Sequence, residues 1–260
     1  MLKTAINGSI ATISLDRPER YNAITVELME ALIEQAQLLS ADDSVRAVVI
    51  RGEGKHFSVG ADQKAGAPEG GSKPTLLARR RQTEVGQRLL QAIRAIRQPT
   101  ICAVQGVATG GGACIAMACD FRIAADDARV GFGEVKLGMN LMWHAVPLCT
   151  ALVGPARAKR LIMSGALFDA DAVMRWGLVD EVCARENLDQ RAQAWANEYA
   201  ALPPVAVQMI KRSINAVSGA LDDAIMHMDA DQFLLVTASD DSREARKAFL
   251  EKRDAHYTGN

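Results

Sequence analysis

GVATGGGACIAMACD, residues 106–120, is the most informative stretch of this chain, because three consecutive glycines there meet a short apolar run. The apolar run is typical of the first turns of a buried helix, where each glycine costs about 1 kcal/mol of helix stability relative to alanine. Glycine leaves the backbone bare, so a ligand can approach N–H groups at the positive end of a helix dipole. This geometry suits an anion or oxyanion, although a tight turn between two packed elements would use the same glycines.

A second segment of small residues is KHFSVGAD at 55–62, which follows a β-like pattern at 45–51 and a Gly-Glu-Gly turn. It also ends in a loop of small residues, Gly60 and Ala61. Two such loops, each placed after a strand, can each offer one backbone N–H to the same oxygen atom. Together the two segments indicate a candidate oxyanion site.

The composition excludes several classes of protein. The 260 residues are 49% hydrophobic and carry a formal charge of -1, which gives no electrostatic footprint for nucleic acid or for an anionic membrane. No apolar run reaches the roughly 18 residues that a membrane span needs, and the N-terminus is typical of a strand and hairpin rather than a signal peptide. The five cysteines lack metal-ligand spacing with histidine, so we expect no metal site and predict buried, reduced thiols in a cytoplasmic protein.

The hydrophobic pattern predicts an α/β core. A hairpin is expected over 5–14, because Asn-Gly favours a tight turn there, and a helix over 25–40. Further strands near 100–104 and 121–125 alternate with helices near 76–97 and 111–119. Helices are predicted from there to the C-terminus, near 155–165, 169–176, 187–201, 204–216, 221–237 and 242–252. The Gly- and Pro-rich stretch 66–74 is expected to be a mobile loop, either part of the substrate entrance or a surface insertion.

The two glycine-containing segments resemble the oxyanion-hole segments of the crotonase superfamily, the enoyl-CoA hydratase/isomerase family. Further matches at the family's order and spacing lie at 16–24, 133–138, 154–159, 176–182 and 248–253. The resemblance implies a crotonase-like spiral of strand-strand-helix units over residues 1–195, with the CoA-thioester site. It also implies a helical C-terminal region over 196–260 that mediates a homotrimer or homohexamer.

The same resemblance implies the chemistry of the site. The carbonyl of an acyl-CoA substrate would lie between the backbone N–H groups of Ala61 and Gly111, which stabilise the negative charge that develops on its oxygen. Glu134 matches the second of the two acid/base glutamates of family hydratases. The position of the first is occupied by Cys114, a space-filling thiol with a nucleophilic or acidic role as the alternative.

A single carboxylate suits an isomerase, which moves a proton from one carbon of a 3-enoyl chain to another without bound water. Coenzyme A then enters as part of the substrate, and no cofactor is expected. The alternatives are an enoyl-CoA hydratase with a non-standard second acid/base group, a hydrolase or decarboxylase, and a non-catalytic acyl-CoA binding protein.

Bulky residues at 142–144 take the place of the glycine-rich turn that family hydratases carry after the Leu-Gly pair. Met142 and Trp143 predict a tighter and drier pocket, which would raise the pKa of Glu134. His144 is either a second acid/base group or a packed histidine. The resemblance also implies the residues that contact coenzyme A, namely Arg20, Tyr21, Val59, Gly60, Asp62 and Lys252.

Overall fold

A computed structural model describes residues 1–62 and 74–260 of the chain. The predicted mobile loop lies outside the described residues except for Pro74. The strands are, in chain order, β1 (Leu2–Asn7), β2 (Ile10–Leu15), β3 (Ala47–Gly52), β4 (Thr100–Val104), β5 (Val107–Thr109), β6 (Phe121–Ala125), β7 (Arg129–Gly131), β8 (Leu167–Asp169) and β9 (Glu181–Cys183). The helices are α1 (Val26–Ala41), α2 (Leu76–Arg94), α3 (Gly111–Ala118), α4 (Ala145–Met163), α5 (Ala170–Arg175), α6 (Leu188–Ala200), α7 (Pro204–Ser218), α8 (Asp223–Met226), α9 (Asp229–Ala238) and α10 (Asp240–Glu251). Short 3-10 helices lie at Pro18–Arg20, Glu134–Leu137 and Arg185–Asn187.

The described residues form two sheets. The larger has the strand order β1-β2-β3-β4-β6-β9, antiparallel in the β1–β2 hairpin and parallel from β2 onward. The smaller has the order β5-β7-β8, in which β5 and β7 are parallel. The predicted hairpin and α/β core are therefore confirmed.

The central parallel strands β3 and β4 are buried on both faces, as is typical of a parallel sheet. In β3, Val48 and Ile50 face the main core with α1, α2 and α3, whereas Ala47 and Val49 face a second cluster against α6. Because neighbouring side chains of a strand point to opposite faces, an almost continuous apolar sequence fills both layers.

Helix α1 begins where its cap predicts. The Thr25 side chain accepts a hydrogen bond from the Leu28 N–H at 3.2 Å, which satisfies one N–H that has no acceptor within the helix. Helix α3 begins at Gly111, directly after the smaller sheet's first strand, and all its residues are buried. The glycine-rich stretch therefore brings a helix N-terminus into the interior of the molecule.

Two helix predictions were wrong in their bounds. The helix predicted at 155–165 is the second half of α4, which starts at Ala145 and is kinked at Gly154 (φ 76°, ψ 163°). The single helix predicted at 221–237 is divided into α8 and α9 around residues 227 and 228. Apolar periodicity runs through both breaks, so it gave no signal for either.

The predicted boundary between the spiral core and the helical C-terminal region, after residue 195, lies inside α6. The buried face of this helix runs from Leu188 through Ala192 and Ala196 to Ala200, and packs on the large sheet. In contrast, α7 has no buried residue among those the structure describes. None of the helices in the described ranges is long and apolar enough to cross a membrane.

Candidate active site

Two backbone segments run side by side to the N-terminus of α3. Ser58 pairs in parallel with β5: its N–H donates to the carbonyl of Val107 at 3.1 Å, and its carbonyl accepts from the N–H of Thr109 at 3.0 Å. The loops that follow, residues 60–61 and 110–111, therefore lie next to each other.

Gly60 allows the close approach of the two loops. Its φ is +84°, and a Cβ built on it would lie 2.8 Å from the Thr109 carbonyl oxygen and 3.4 Å from the backbone nitrogen of Gly111. A side chain at residue 60 would therefore push the loops apart. Glycine there keeps the neighbouring N–H of Ala61 close to that of Gly111.

The backbone N–H groups of Ala61 and Gly111 donate no hydrogen bond to the described residues around them. Ala61 forms a parallel bridge with Ile24, but the two hydrogen bonds of this bridge use the residues on either side of Ala61. The Ile24 N–H donates to the Gly60 carbonyl at 2.8 Å, and the Asp62 N–H donates to the Ile24 carbonyl at 2.9 Å. Gly111 opens α3, where the first N–H groups have no acceptor within the helix. No hydrogen bond between described residues uses either N–H group.

Glu134 lies opposite this pair of loops, at the start of the 3-10 helix that follows β7. Its Oε1 is 2.7 Å from the point where a Cβ on Gly110 would be, so the carboxylate contacts the residue before the Gly111 donor. Its Oε2 is buried without a hydrogen-bond partner in the described chain. Burial raises the pKa of Glu134, against a smaller lowering by a backbone hydrogen bond. A carboxylate with a raised pKa and a free oxygen is suited to accept and return a proton.

Cys114 lies one helical turn into α3, where its backbone N–H donates to the Gly110 carbonyl at 2.9 Å. Its side chain is buried, and burial is the main cause that raises the thiol pKa well above its usual range, followed by the charge of Glu134. The thiol therefore stays protonated and cannot act as a base near neutral pH.

A cavity of about 600 Å³ joins the two loops to Glu134. Its described walls are mostly apolar and come from the two loops, the end of β5, the helices α1, α2, α3, α9 and α10, and the segment 133–143. The lining residues are Met29, Val59, Gly60, Ala61, Gln82, Thr83, Gly86, Thr109, Gly110, Gly111, Cys114, Gly133, Glu134, Lys136, Leu137, Met139, Asn140, Leu141, Met142, Trp143, Phe233, Arg246 and Phe249. Within residues 1–62 and 74–260, no three His, Cys, Asp or Glu side chains are grouped so as to hold a metal ion.

The family model for enoyl-CoA hydratase/isomerase matches residues 5–260, almost the whole chain. The chain belongs to this family. It is 33% identical over 253 residues to the crotonyl-CoA hydratase of Syntrophomonas wolfei, covering 95% of this chain and 94% of that protein. It is 32% identical over 251 residues to the short-chain-enoyl-CoA hydratase of Clostridium acetobutylicum, covering 95% and 93%.

Solved structures agree with the sequence relatives. A crystal structure of an enoyl-CoA hydratase from Mycobacterium avium subsp. paratuberculosis superposes with a TM-score of 0.87 at 26% identity, covering 99% of this chain and 98% of that one. An enoyl-CoA hydratase/isomerase from Pseudoalteromonas atlantica gives 0.86 at 28% identity, covering 99% of both chains. The expected crotonase superfamily and fold are therefore confirmed, and the chain is an acyl-CoA enzyme of this family.

His144 lies next to the candidate site without lining its cavity. It is buried, and it is absent from the described walls of the cavity that its neighbour Trp143 lines. Its Nε2 is 2.7 Å from Asp222 Oδ2 and 3.1 Å from Arg94 Nη1, and its backbone N–H donates to Asp229 at 3.2 Å. These contacts place His144 in the packed interior, which favours the packed histidine over the acid/base group, the two alternatives that the sequence left open.

The residues expected to bind coenzyme A divide into two groups. Val59 and Gly60 line the cavity, and Tyr21 adjoins them through its carbonyl, which accepts from the Val59 N–H at 3.1 Å. Arg20 is more than a third exposed, and its guanidinium lies 3.4 Å from Asp62. Lys252 ends α10 in a left-handed conformation and is not among the described cavity residues.

Several cavity residues carried no clear signal in the sequence. Arg246 and Phe249 reach the cavity from α10, which ends before the expected Lys252. Asn140 lies in the cavity wall, and both atoms of its amide are buried without a hydrogen-bond partner in the described ranges. Gly86 also lines the cavity, in the interior of a helix where glycine is unfavourable. A polar residue in an apolar run and a glycine within a helix were the only available signals.

Proposed function

We propose that the protein is an enoyl-CoA isomerase in which Glu134 shuttles one proton along the acyl chain. The observation that carries this proposal is that Glu134 is the single carboxylate among the described residues of the cavity wall. It lies beside the loops that offer the N–H groups of Ala61 and Gly111. One base and two fixed donors are what a proton shift next to a thioester requires.

In the proposed reaction, the thioester oxygen of a 3-enoyl-CoA accepts hydrogen bonds from Ala61 and Gly111. The Glu134 carboxylate removes a proton from C2, and the negative charge of the resulting dienolate is held on the thioester oxygen. The protonated Glu134 then gives the same proton to C4, which leaves the double bond between C2 and C3. Neither water nor a cofactor is consumed, and the thioester stays intact.

The surroundings of Glu134 support this role. Burial raises its pKa, which makes the carboxylate a stronger base and its acid form available for the return of the proton. Cys114, one turn into α3, has a pKa raised well above its usual range by burial and therefore adds no second acid/base group. The mostly apolar wall offers few groups that could hold and activate a water molecule, which favours a proton shift over addition of water.

A second candidate is hydration of 2-enoyl-CoA, the activity named in the relatives from Syntrophomonas and Clostridium. Asn140 favours it, since its buried amide has no described partner and lines the same cavity as Glu134. A neutral amide can hold a water molecule by donating and accepting hydrogen bonds, although it cannot take the proton itself.

The experiment that separates the candidates is to measure turnover with 3-enoyl-CoA and 2-enoyl-CoA for the wild type, Glu134→Gln and Asn140→Leu. The isomerase predicts turnover of 3-enoyl-CoA that is lost in Glu134→Gln and retained in Asn140→Leu. If the wild type instead hydrates 2-enoyl-CoA faster than it isomerises 3-enoyl-CoA, and both variants lose this hydration, the protein is a hydratase and the isomerase proposal is wrong. Tight binding of acyl-CoA without turnover of either would indicate a non-catalytic binding protein.

A homotrimer or homohexamer is the proposed assembly, supported by an apolar face on α7. Five of its side chains are 60–80% exposed: Val205, Met209, Ile210, Ile214 and Val217. An apolar helix face of this kind is typical of a contact between subunits.

The free thiols of all five cysteines, each within the described ranges, support a cytoplasmic location.

A further inference from the structure

The indole of Trp143 lies in a slot between α2 and the N-terminus of α3. A Cβ built on Gly86 would lie 2.1 Å from the Cε2 and Nε1 atoms of the indole. A Cβ built on Gly111 would lie 2.5 Å from its Cζ3 atom. Real Cβ atoms essentially never come closer than 3.0 Å to such atoms, so the indole in this position requires glycine at both sites.

The backbone that carries the indole adopts an unusual conformation. Trp143 and His144 have φ values of +66° and +67°, in the left-handed region that bulky residues avoid. Two successive residues remain there only where their surroundings hold them. Here His144 is held from three sides, because it bonds to Asp222 and Asp229 and lies next to Arg94. These bonds keep the indole in its slot.

The slot adjoins the reacting atoms. Gly110 contacts the carboxylate of Glu134, and the next residue, Gly111, contacts the indole. An acyl chain whose carbonyl is held by the Gly111 N–H must therefore continue between Glu134 and Trp143. Met142 and Leu141, which precede the indole, add further apolar bulk to the same wall.

We propose that Trp143 closes the acyl end of the cavity and restricts the enzyme to short-chain acyl-CoA thioesters, such as butenoyl- and hexenoyl-CoA. This inference rests on the proposed function for the position of the thioester, but it concerns the space beyond it. Each further methylene that finds room in an apolar cavity raises affinity about fourfold, since its burial is worth about 0.8 kcal/mol. The indole removes that room, so longer chains gain nothing.

Calorimetric titration with saturated butanoyl-, hexanoyl-, octanoyl- and decanoyl-CoA tests the proposal, because these ligands bind without reacting. In the wild type, affinity is expected to stop rising after hexanoyl-CoA. In Trp143→Ala it should continue to rise, by about fourfold for each methylene through decanoyl-CoA. Trp143→Phe, which retains a smaller ring, should move the limit by less and also covers the case in which Trp143→Ala does not fold. Trp176→Ala, which removes a tryptophan packed on Phe168 outside the described cavity wall, should keep the wild-type limit.

A steady rise through decanoyl-CoA in the wild type would overturn the proposal, as would an unchanged limit in the folded Trp143 variants. Neither result would bear on the proton shuttle, which is tested by turnover. Conversely, an enzyme without isomerase activity can still show the predicted limit.

The slot itself can be tested through stability. Gly86→Ala should raise the melting temperature in the Trp143→Ala background, because alanine is the better helix former. In the wild-type background the same change should lower it, because the new Cβ overlaps the indole. Equal effects in both backgrounds would show that the indole does not occupy the slot.

Discussion

Gly60→Ala tests the geometry of the two donor loops. Residue 60 has a φ of +84°, and alanine in a left-handed conformation costs about 1–2 kcal/mol relative to glycine. The new Cβ would lie 2.8 Å from the Thr109 carbonyl oxygen, whereas ordinary contact begins at 3.4 Å. The loops must therefore separate by the difference, about 0.6 Å.

That displacement acts on the Ala61 N–H, which adjoins residue 60, relative to the N–H of Gly111. Loss of a whole oxyanion donor costs about 10²–10³-fold in kcat, and a misplacement of about 1 Å costs about 10²-fold. We expect Gly60→Ala to lower kcat by about 10- to 100-fold and the free energy of unfolding by about 1–2 kcal/mol. Steady-state turnover of 3-enoyl-CoA and urea unfolding measure the two quantities.

Gly8→Ala is the matched control. Gly8 lies in the turn between β1 and β2, also has a left-handed φ (+59°), and has no atom within 4 Å of an added Cβ. It should lose a similar free energy of unfolding and keep its kcat. If Gly60→Ala loses stability to the same extent as Gly8→Ala and also keeps its kcat, the loop at 60–61 does not supply a donor.

Four further predictions concern the base Glu134, the buried Asp222 that bonds to His144 and Arg94, and the assembly. Because burial raises the pKa of Glu134, turnover should fall on acidification through an apparent pKa above the usual glutamate value of about 4.3, which a pH profile of kcat measures. The same raised pKa makes the charged form of Glu134 destabilising at neutral pH, so Glu134→Gln should raise the melting temperature while abolishing turnover; a lower melting temperature would contradict this. Burial by itself would raise the pKa of Asp222, but the hydrogen bonds from His144 and Arg94 lower it. Asp222→Asn should therefore lower the free energy of unfolding, measured in urea at neutral pH, by about 2 kcal/mol. This difference from the wild type should shrink as the pH falls through the lowered pKa of Asp222. Ile214→Asp, on the exposed apolar face of α7, should reduce the mass measured by light scattering to that of a monomer; a wild-type monomer at micromolar concentration would exclude the proposed assembly.

The sequence was sufficient to predict the elements whose signal is local. Thr25 capped α1 as expected, and β2, β3, β4 and β6 followed from short runs of β-branched and apolar residues. The α4 bounds were missed because a left-handed His144 precedes the helix and Gly154 interrupts it, so no capping side chain marks its start. Likewise, the break between α8 and α9 lies within an apolar pattern that fits one continuous helix.

In the candidate site too, residues within a local motif could be predicted, whereas a residue with distant partners could not be assigned a role. Residues such as Glu134, Gly60 and Gly111 were predicted because they belong to contiguous motifs, and their side chains or backbone face the cavity directly. The two alternatives for His144 stayed open in the sequence because its partners, Arg94 and Asp222, come from distant parts of the chain. A histidine in a motif is equally compatible with catalysis and with hydrogen bonding in the interior until those partners are known.

Trp143 shows why the remainder required the structure. Sequence alone predicted a bulky and drier pocket, but the position of the indole depends on glycines that lie 57 and 32 residues before it, Gly86 and Gly111. Gly86 is a weak feature within a polar helix until the indole is seen against it. Because Gly86, Gly111 and Trp143 form one wall of the cavity jointly, the proposed limit on acyl-chain length depends on how these three residues pack together. Double variants of Gly86 and Trp143 should therefore reveal more about specificity than either single change, since only the pair reports whether the slot is filled.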